Sequence, residues 1–183
     1  FGKKPRVLVL GTHPEKYRHL GTIVHRPMVK CVGVEDWSRL DEAFEHLDAF
    51  DWLIFTSANG ANYFFERLRH KELDARSLSS MKIAAIGKTT AERLTAFGIL
   101  ADLVPVTESS AGLLEMCGTL AMEGKSVLLP QAKVASAELL DGLSELGATV
   151  EQIAVYQTVE IEPADVDLEH IDKILFTSGS TAQ

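Results

Sequence analysis

The chain has 183 residues, of which 46% are hydrophobic and 24% charged, a composition typical of folded globular proteins. Its formal net charge of −8 argues against general binding to nucleic acid or to anionic membranes, because both need a basic surface. Two cysteines make a disulfide framework a poor interpretation and favour a reducing, cytoplasmic location, and no apolar run approaches the length of a membrane span.

Short apolar runs that end in glycine, proline or small polar residues predict strands, and amphipathic segments between them predict helices. In chain order, strands or extended segments are predicted at 6–11, 28–34, 52–56, 81–87, 99–104, 126–129, 149–159 and around 174. Helices are predicted to begin near 15, 38, 59, 88, 108 and 134, the second of them opened by a capping box at Ser38. This alternation indicates βαβ units, and therefore an α/β fold with parallel sheets and helices on both faces.

One short motif occurs twice. Residues 54–60 and 174–180 both read as a buried strand that ends in Phe-Thr-Ser and turns through small residues, which suggests an internal duplication. Extended stretches flank the first copy, so we predict one lobe inserted into another. The predicted parts are an outer lobe at 1–35 and 160–183, an inserted lobe at 36–159, and linker strands near 28–36 and 154–162. We expect the outer lobe to be incomplete, because the second copy ends at Gln183.

Several strand-to-helix turns are candidate anion sites, because their N–H groups carry the positive end of the helix dipole. Simple N-capping explains each turn alone, with Thr89 as the cap at the turn near 88, but the repeated motif favours binding. The turn at Lys88 resembles the end of a P-loop, yet Lys82 stands where the first glycine is needed, so nucleotide binding is not favoured. The candidate residues are Ser57, Ala58, Asn59, Lys88, Thr89, Thr90, Ser110, Ser178, Gly179 and Ser180. Lys133 adds a positive charge at another strand end, and the alternative there is a solvated lysine in the first turn of a helix.

Tyr156 lies on a predicted linker strand, where its hydroxyl could donate a proton or position a leaving group. The alternative is an ordinary strand aromatic residue. The six histidines show no metal-binding spacing, and no Gly-x-Ser-x-Gly nucleophile motif occurs. If the chain is an enzyme, we expect it to work by binding and positioning rather than through a strong nucleophile or a metal.

The ordered set of motifs resembles the uroporphyrinogen-III synthase family. The segments that carry the resemblance are Ile54–Ser57, Ala84–Ala91, Val127–Pro130, Ala154–Thr158 and Leu175–Ser178. It implies two flavodoxin-like lobes joined by a two-stranded linker. It also implies cyclisation of the linear tetrapyrrole hydroxymethylbilane, with inversion of the last ring and loss of water, in heme, siroheme and cobalamin biosynthesis. Such enzymes use no metal and no organic cofactor.

The resemblance assigns roles to residues. It implies that Tyr156 assists loss of hydroxide and that main-chain amides of the Phe-Thr-Ser and Gly-x-x-Thr turns bind substrate carboxylates. Two positions depart from the family pattern: His13 stands where arginine is usual in Thr-Arg-Pro, and Gln131 replaces a common arginine. The opening residues 1–3 resemble the junction to a tetrapyrrole methyltransferase, which implies a fused or associated methyltransferase. We expect a monomer.

Two other classes of protein share parts of the pattern. The departures at His13 and Gln131 fit a non-catalytic module that binds tetrapyrroles or other polycarboxylates. A response-regulator domain is less favoured, because it needs acidic side chains at strand ends where Thr56-Ser57 stands.

Overall fold

A computed structural model describes residues 4–11, 14–161 and 168–176 of the chain. The strands are β1 (Arg6–Val9), β2 (Thr22–His25), β3 (Val29–Gly33), β4 (Trp52–Phe55), β5 (Lys82–Ala85), β6 (Ser126–Ala132), β7 (Thr149–Glu160) and β8 (Lys173–Leu175). The α-helices are α1 (Ser38–Glu45), α2 (Ala58–His70), α3 (Lys88–Thr95), α4 (Ser110–Gly118) and α5 (Glu138–Glu145). Short 3-10 helices span Pro14–Leu20, Leu47–Ala49, Ala75–Leu78 and Leu168–His170. None of the helices in these residues is both long and apolar enough to cross a membrane.

The chain divides into two units. One comprises Phe1–Val32 and Thr158–Gln183, and the other comprises Gly33–Gln157. We call them the terminal unit and the central unit. The lobe boundaries that the sequence suggests, at 35 and 160, stay a prediction, as does the incomplete outer lobe.

The terminal unit contains a three-stranded parallel sheet in the order β2-β1-β8. The sequence does not predict strand β2. It predicts a buried β8, and this is wrong, since Ile174 is 47% and Phe176 49% exposed. The reason is that β8 lies at the sheet edge and pairs only with β1 in the described part of the chain. In the same unit, the Ile161 N–H donates to the Met28 carbonyl at 2.8 Å.

The second sheet has five strands in the order β3-β7-β6-β4-β5. Strand β4 is parallel to both β5 and β6, and β6 is parallel to β7. Helices cover both faces, so the predicted parallel α/β class is confirmed. Leu53 and Phe55 of β4 pack in one core cluster with α1 and α2, whereas Ile54 faces the other cluster with α4 and α5. This burial on both faces explains why strand β4 is a continuous apolar run.

Four local predictions are wrong. The segment 99–104 forms one parallel bridge from Leu103 to Ala84 rather than a strand. Strand β6 continues through Pro130 because its pairing with β4 has already ended at Leu128. Helix α5 begins at Glu138 rather than near 134. The predicted capping box at Ser38 is absent. Trp37 is the N-cap of α1 and its side chain makes no cap bond, and the N–H and hydroxyl of Ser38 donate to the Asp36 carboxylate instead.

Candidate functional site

Four of the candidate residues lie at one edge of the central unit. Ser57 follows β4, Lys88 follows β5, Lys133 follows β6, and Tyr156 lies on β7 opposite Ala132, the last residue of β6. These four strands run parallel, so their carboxyl ends meet at the same edge of the sheet. Ligands of open α/β sheets bind at that edge. The topology therefore gathers residues that are up to 99 positions apart in the chain.

The closest contact among these residues joins Ser57 to Tyr156. The two hydroxyl oxygens are 3.1 Å apart in a partly buried position. Ser57 is the N-cap of α2, with extended backbone, and its Oγ accepts a bond from the Gly60 N–H at 2.9 Å. The capping alternative for Ser57 is thus correct for its side chain. Because Oγ can accept two bonds and donate one, it caps the helix and bonds Tyr156 simultaneously.

Gly60 lies in close packing around this pair. A Cβ atom there would lie 3.2 Å from Ser57 Oγ, 3.3 Å from the Pro130 carbonyl oxygen and 4.0 Å from Tyr156 Cε1. The first two distances are tighter than ordinary carbon contacts. The sequence indicates Gly60 only as a small turn residue; the structure shows that it lets α2 approach β6 and Tyr156.

Tyr156 is held on several sides. Its ring stacks on Tyr63 with centroids 5.9 Å apart and planes 16° from parallel. Its carbonyl accepts a 2.7 Å bond from the Lys133 N–H. The register of β6 and β7 shifts here, since Gln131 pairs with Ala154 but the next residue pairs with Tyr156. Such bulges often re-aim a side chain near a functional site.

The turn before α3 has a different construction. Gly87 is its N-cap and supplies no side-chain bond, so the suggested capping by Thr89 is wrong. Thr89 is exposed, whereas the whole Thr90 residue is only 4% exposed. A Cβ at Gly87 would overlap the Glu108 carboxylate, so an acidic group of the chain itself stands beside this turn.

The remaining candidates are placed as follows. Ala58 and Asn59 open α2 and are half-buried. Ser110 opens α4, but its neighbour Ser109 is the cap, accepting from the Gly112 N–H at 3.1 Å. Ser178, Gly179 and Ser180 lie outside the described residues, so the structure says nothing of the second Phe-Thr-Ser turn.

Gln131 belongs to a polar network beneath the site. It is 4% exposed. Its amide nitrogen donates to Thr56 Oγ1 at 3.4 Å, and its amide oxygen accepts from Gln152 at 2.7 Å. A buried polar side chain needs such partners. Gln131 is therefore held by Thr56 and Gln152, neighbours that the sequence does not single out.

A pocket of about 350 Å³ opens beside β7 in the central unit. It is lined by Val34, Glu35, Asp36, Arg39, Lys133, Ile153, Ala154 and Gln157. Hydrogen bonds from the Ser38 hydroxyl and N–H lower the pKa of Asp36, so that carboxylate stays ionised. Two cations and two carboxylates give the pocket a balanced charge. Only Lys133 among these residues is a candidate from the sequence.

Known proteins resemble this chain over most of its length. The family model described as uroporphyrinogen-III synthase HemD matches residues 15–183. A porphyrin biosynthesis protein HemD from Ruminiclostridium josui is 30% identical over 204 aligned positions, covering 100% of this chain and 40% of the relative. The uroporphyrinogen-III synthase of Synechococcus elongatus is 28% identical, covering 88% of this chain and 63% of the relative. The chain thus spans less than two thirds of either relative's length.

Solved structures agree in fold. A uroporphyrinogen III synthase from the extremely thermophilic bacterium Thermus thermophilus has a TM-score of 0.63 at 19% identity, covering 86% of this chain and 64% of that one. The enzyme from Helicobacter pylori has a TM-score of 0.59 at 20% identity, covering 97% and 75%. At such identity these matches establish the fold alone, while the family model covers most of the chain. The chain belongs to the uroporphyrinogen-III synthase family.

Proposed function

We propose that the protein carrying this chain is a uroporphyrinogen-III synthase. It would cyclise hydroxymethylbilane with inversion of the last ring and loss of water. The observation that carries the proposal is the Ser57–Tyr156 hydroxyl pair, 3.1 Å apart at the carboxyl edge of a parallel sheet, in a chain that matches the family over residues 15–183.

Tyr156 is the proposed proton donor. When the C–O bond of the hydroxymethyl group breaks, the electron pair leaves with oxygen, and the phenol proton converts the leaving hydroxide to water. The phenolate that remains is hydrogen-bonded by the Ser57 hydroxyl, whose Oγ is already fixed by the Gly60 N–H. A hydrogen bond to an ionised oxygen is stronger than one to a neutral oxygen, so this arrangement favours the charge that develops.

The surrounding turns are the proposed carboxylate sites. The substrate carries many carboxylates, and the main chain of Ser57–Asn59 and of Lys88–Thr90 presents helix N-termini at the same edge as Tyr156. Ser110 and the Lys133 ammonium complete the described part of the proposed set. Ser178–Ser180 belong to the proposal by their sequence alone.

Further parts of the proposal concern the whole protein. It acts on a small molecule without metal or organic cofactor, as a monomer in the cytoplasm. The outer lobe comprises residues 1–35 and 160–183, the inserted lobe comprises 36–159, and the linker strands lie near 28–36 and 154–162. A tetrapyrrole methyltransferase is fused to the chain or associated with it.

The test is the isomer made from hydroxymethylbilane. Products are oxidised to uroporphyrins and separated, and we expect the type III isomer. The linear substrate closes unaided to the type I isomer, so type I alone would refute the proposal. Measured affinity for uroporphyrinogen without isomer control would instead support the non-catalytic binding module.

The role of Tyr156 is tested separately. Tyr156→Phe should lower kcat by about 10²-fold or more, the range for loss of a general acid, with KM changed much less. Tyr17→Phe, in the 3-10 helix of the terminal unit, is the control. An unchanged kcat in Tyr156→Phe would remove this residue from the mechanism.

A further inference from the structure

A row of aromatic rings leads from strand β3 to Tyr156 within the central unit. Gly33, the last residue of β3, contacts both Trp37 and Tyr63. A Cβ at Gly33 would lie 2.8 Å from Trp37 Cζ2 and 3.4 Å from Tyr63 Cδ1. Tyr63 in turn stacks on Tyr156, with centroids 5.9 Å apart. The three aromatic residues pack against the same core cluster.

Helix α2 supplies both contacts that orient Tyr156. Its N-cap Ser57 bonds the hydroxyl, and Tyr63, less than two turns later, stacks on the ring. The helix itself is fixed by Phe64, whose ring meets Phe55 and Phe44 edge-on at 5.3 and 5.2 Å. A fixed helix that contacts a phenol at the hydroxyl and at the ring face restricts rotation about both side-chain torsions.

We propose that Tyr63 is a positioning residue that keeps the Tyr156 hydroxyl at Ser57 by stacking on its ring, with Gly33 leaving room for the stack. The idea rests on the proposed role of Tyr156 but concerns a different residue. Tyr63 lies on the helix after the Phe-Thr-Ser turn and is not a candidate from the sequence. Without its ring, Tyr156 would gain alternative rotamers in which the hydroxyl no longer faces Ser57.

The first experiment measures Tyr156 directly, without substrate. The chain has three tyrosines, so the double variants Y17F/Y63F and Y17F/Y63A leave Tyr156 as the only one. Labelling with 3-fluorotyrosine then gives a fluorine resonance from Tyr156 alone. The phenylalanine form keeps a stacking ring and should hold this resonance away from that of the urea-unfolded chain. In the alanine form, the chemical shift of this resonance should move at least half of the way to its value in the urea-unfolded chain.

The second experiment measures turnover. Aromatic stacking of this kind predicts that Tyr63→Ala lowers kcat between about twofold and tenfold, with KM nearly unchanged, and that Tyr63→Phe restores it. Gly33→Ala, whose Cβ would force the Trp37 ring to move and would lie in contact with Tyr63, should shift the Tyr156 resonance in the same direction. If Tyr63→Ala does not fold, as judged by circular dichroism, Tyr63→Leu replaces it, because leucine fills the space without a ring.

The outcomes separate the two proposals. Type I product alone from the wild-type protein would refute the synthase activity, yet the fluorine spectra would still decide the role of Tyr63. If the wild type is active and the alanine and phenylalanine forms share one resonance and one kcat, the positioning role is refuted alone. Equal loss of kcat in Tyr63→Phe and Tyr63→Ala would also refute the positioning role, because the proposal assigns that role to the Tyr63 ring, which Tyr63→Phe keeps.

Discussion

Ser57→Ala should destabilise the central unit more than the equivalent change at a second serine cap. Ser57 and Ser109 are both N-caps with extended backbone, and each Oγ accepts a bond from the N–H three residues later, at 2.9 and 3.1 Å. Only Ser57 also bonds a tyrosine hydroxyl among the contacts found in the described residues. The two substitutions therefore remove the same cap and differ by the bond to Tyr156.

The magnitude follows from these bonds. Removing an N-cap hydroxyl costs about 1 kcal/mol, and a net hydrogen bond between uncharged groups contributes about 1 kcal/mol more. We expect Ser109→Ala to lower the free energy of unfolding by about 1 kcal/mol and Ser57→Ala by about 2 kcal/mol. With a urea dependence of roughly 2 kcal/mol per molar, the extra loss shifts the midpoint by about 0.5 M.

Tryptophan fluorescence is a suitable assay, because both tryptophans, Trp37 and Trp52, lie in the central unit and report its unfolding. The comparison is then repeated in a Tyr156→Phe background, where Ser57→Ala should cost only what Ser109→Ala costs. Equal losses in the wild-type background would refute the reasoning. An excess for Ser57→Ala that survives in the Tyr156→Phe background would refute it too, since the bond in question is then already absent.

Three other outcomes are expected. Gly112→Ala should lower the free energy of unfolding by about 1–3 kcal/mol, because the added Cβ would overlap the backbone carbonyl of Thr107. Gly118→Ala on the same helix meets only an ordinary 3.9 Å contact, so it should leave stability unchanged or raise it. The urea midpoints of the two variants test this difference. The hydrogen bond from Arg67 lowers the pKa of Asp41, so the free energy of unfolding should decrease as pH falls below about 4. In Asp41→Asn this decrease should be smaller, as measured by urea titrations between pH 2 and 7. Burial raises the pKa of the Cys117 thiol, so thiol reagents should label it only in urea; rapid native labelling would contradict its 0% exposure.

The Asp41 prediction depends on geometry as well as on charge. The Arg67 guanidinium meets both carboxylate oxygens, at 2.7 and 2.6 Å, and both side chains are about one-fifth exposed. A depressed pKa contributes stability above the unfolded value, near 3.9, and loses it as pH falls through the folded value. At pH 7 we expect Asp41→Asn to cost about 1 kcal/mol, after allowance for solvent screening of this partly exposed pair. An acid dependence as steep in Asp41→Asn as in the wild type would contradict this.

The strongly patterned elements could be predicted from the sequence for clear physical reasons. Strand β4 is apolar at every position because helices cover both sides, and α2 repeats apolar residues at helical spacing, with Ala61, Phe64 and Leu68 all buried. Parallel topology then places Ser57 and Tyr156 at one edge. These are consequences of local pattern and of a general rule for βαβ units.

Elements that depend on their neighbours could not be predicted in this way. Strand β2 is short, and its residues are exposed or only half-buried, so it lacks the apolar pattern of a buried strand. The segment before Pro105 is apolar enough for a strand but makes a single bridge. Pro130 has the local signature of a strand end, although a proline is compatible with a strand where pairing on one side has ceased.

The bulge in β7 explains why the side chains around Tyr156 could not be predicted from the sequence. Strict alternation would put Val155 and Tyr156 on opposite faces of the sheet. The register shift after Gln131 leaves one extra residue in β7, and Val155 and Tyr156 both pack against the cluster on the α2 side. Tyr156 thereby meets Ser57 and Tyr63, which alternation alone would have placed across the sheet. The same bulge sets the Lys133 N–H against the Tyr156 carbonyl, so the β6 turn and the tyrosine are held in one arrangement. This one-residue bulge, which no local sequence pattern predicts, thus determines which side chains surround the proposed proton donor.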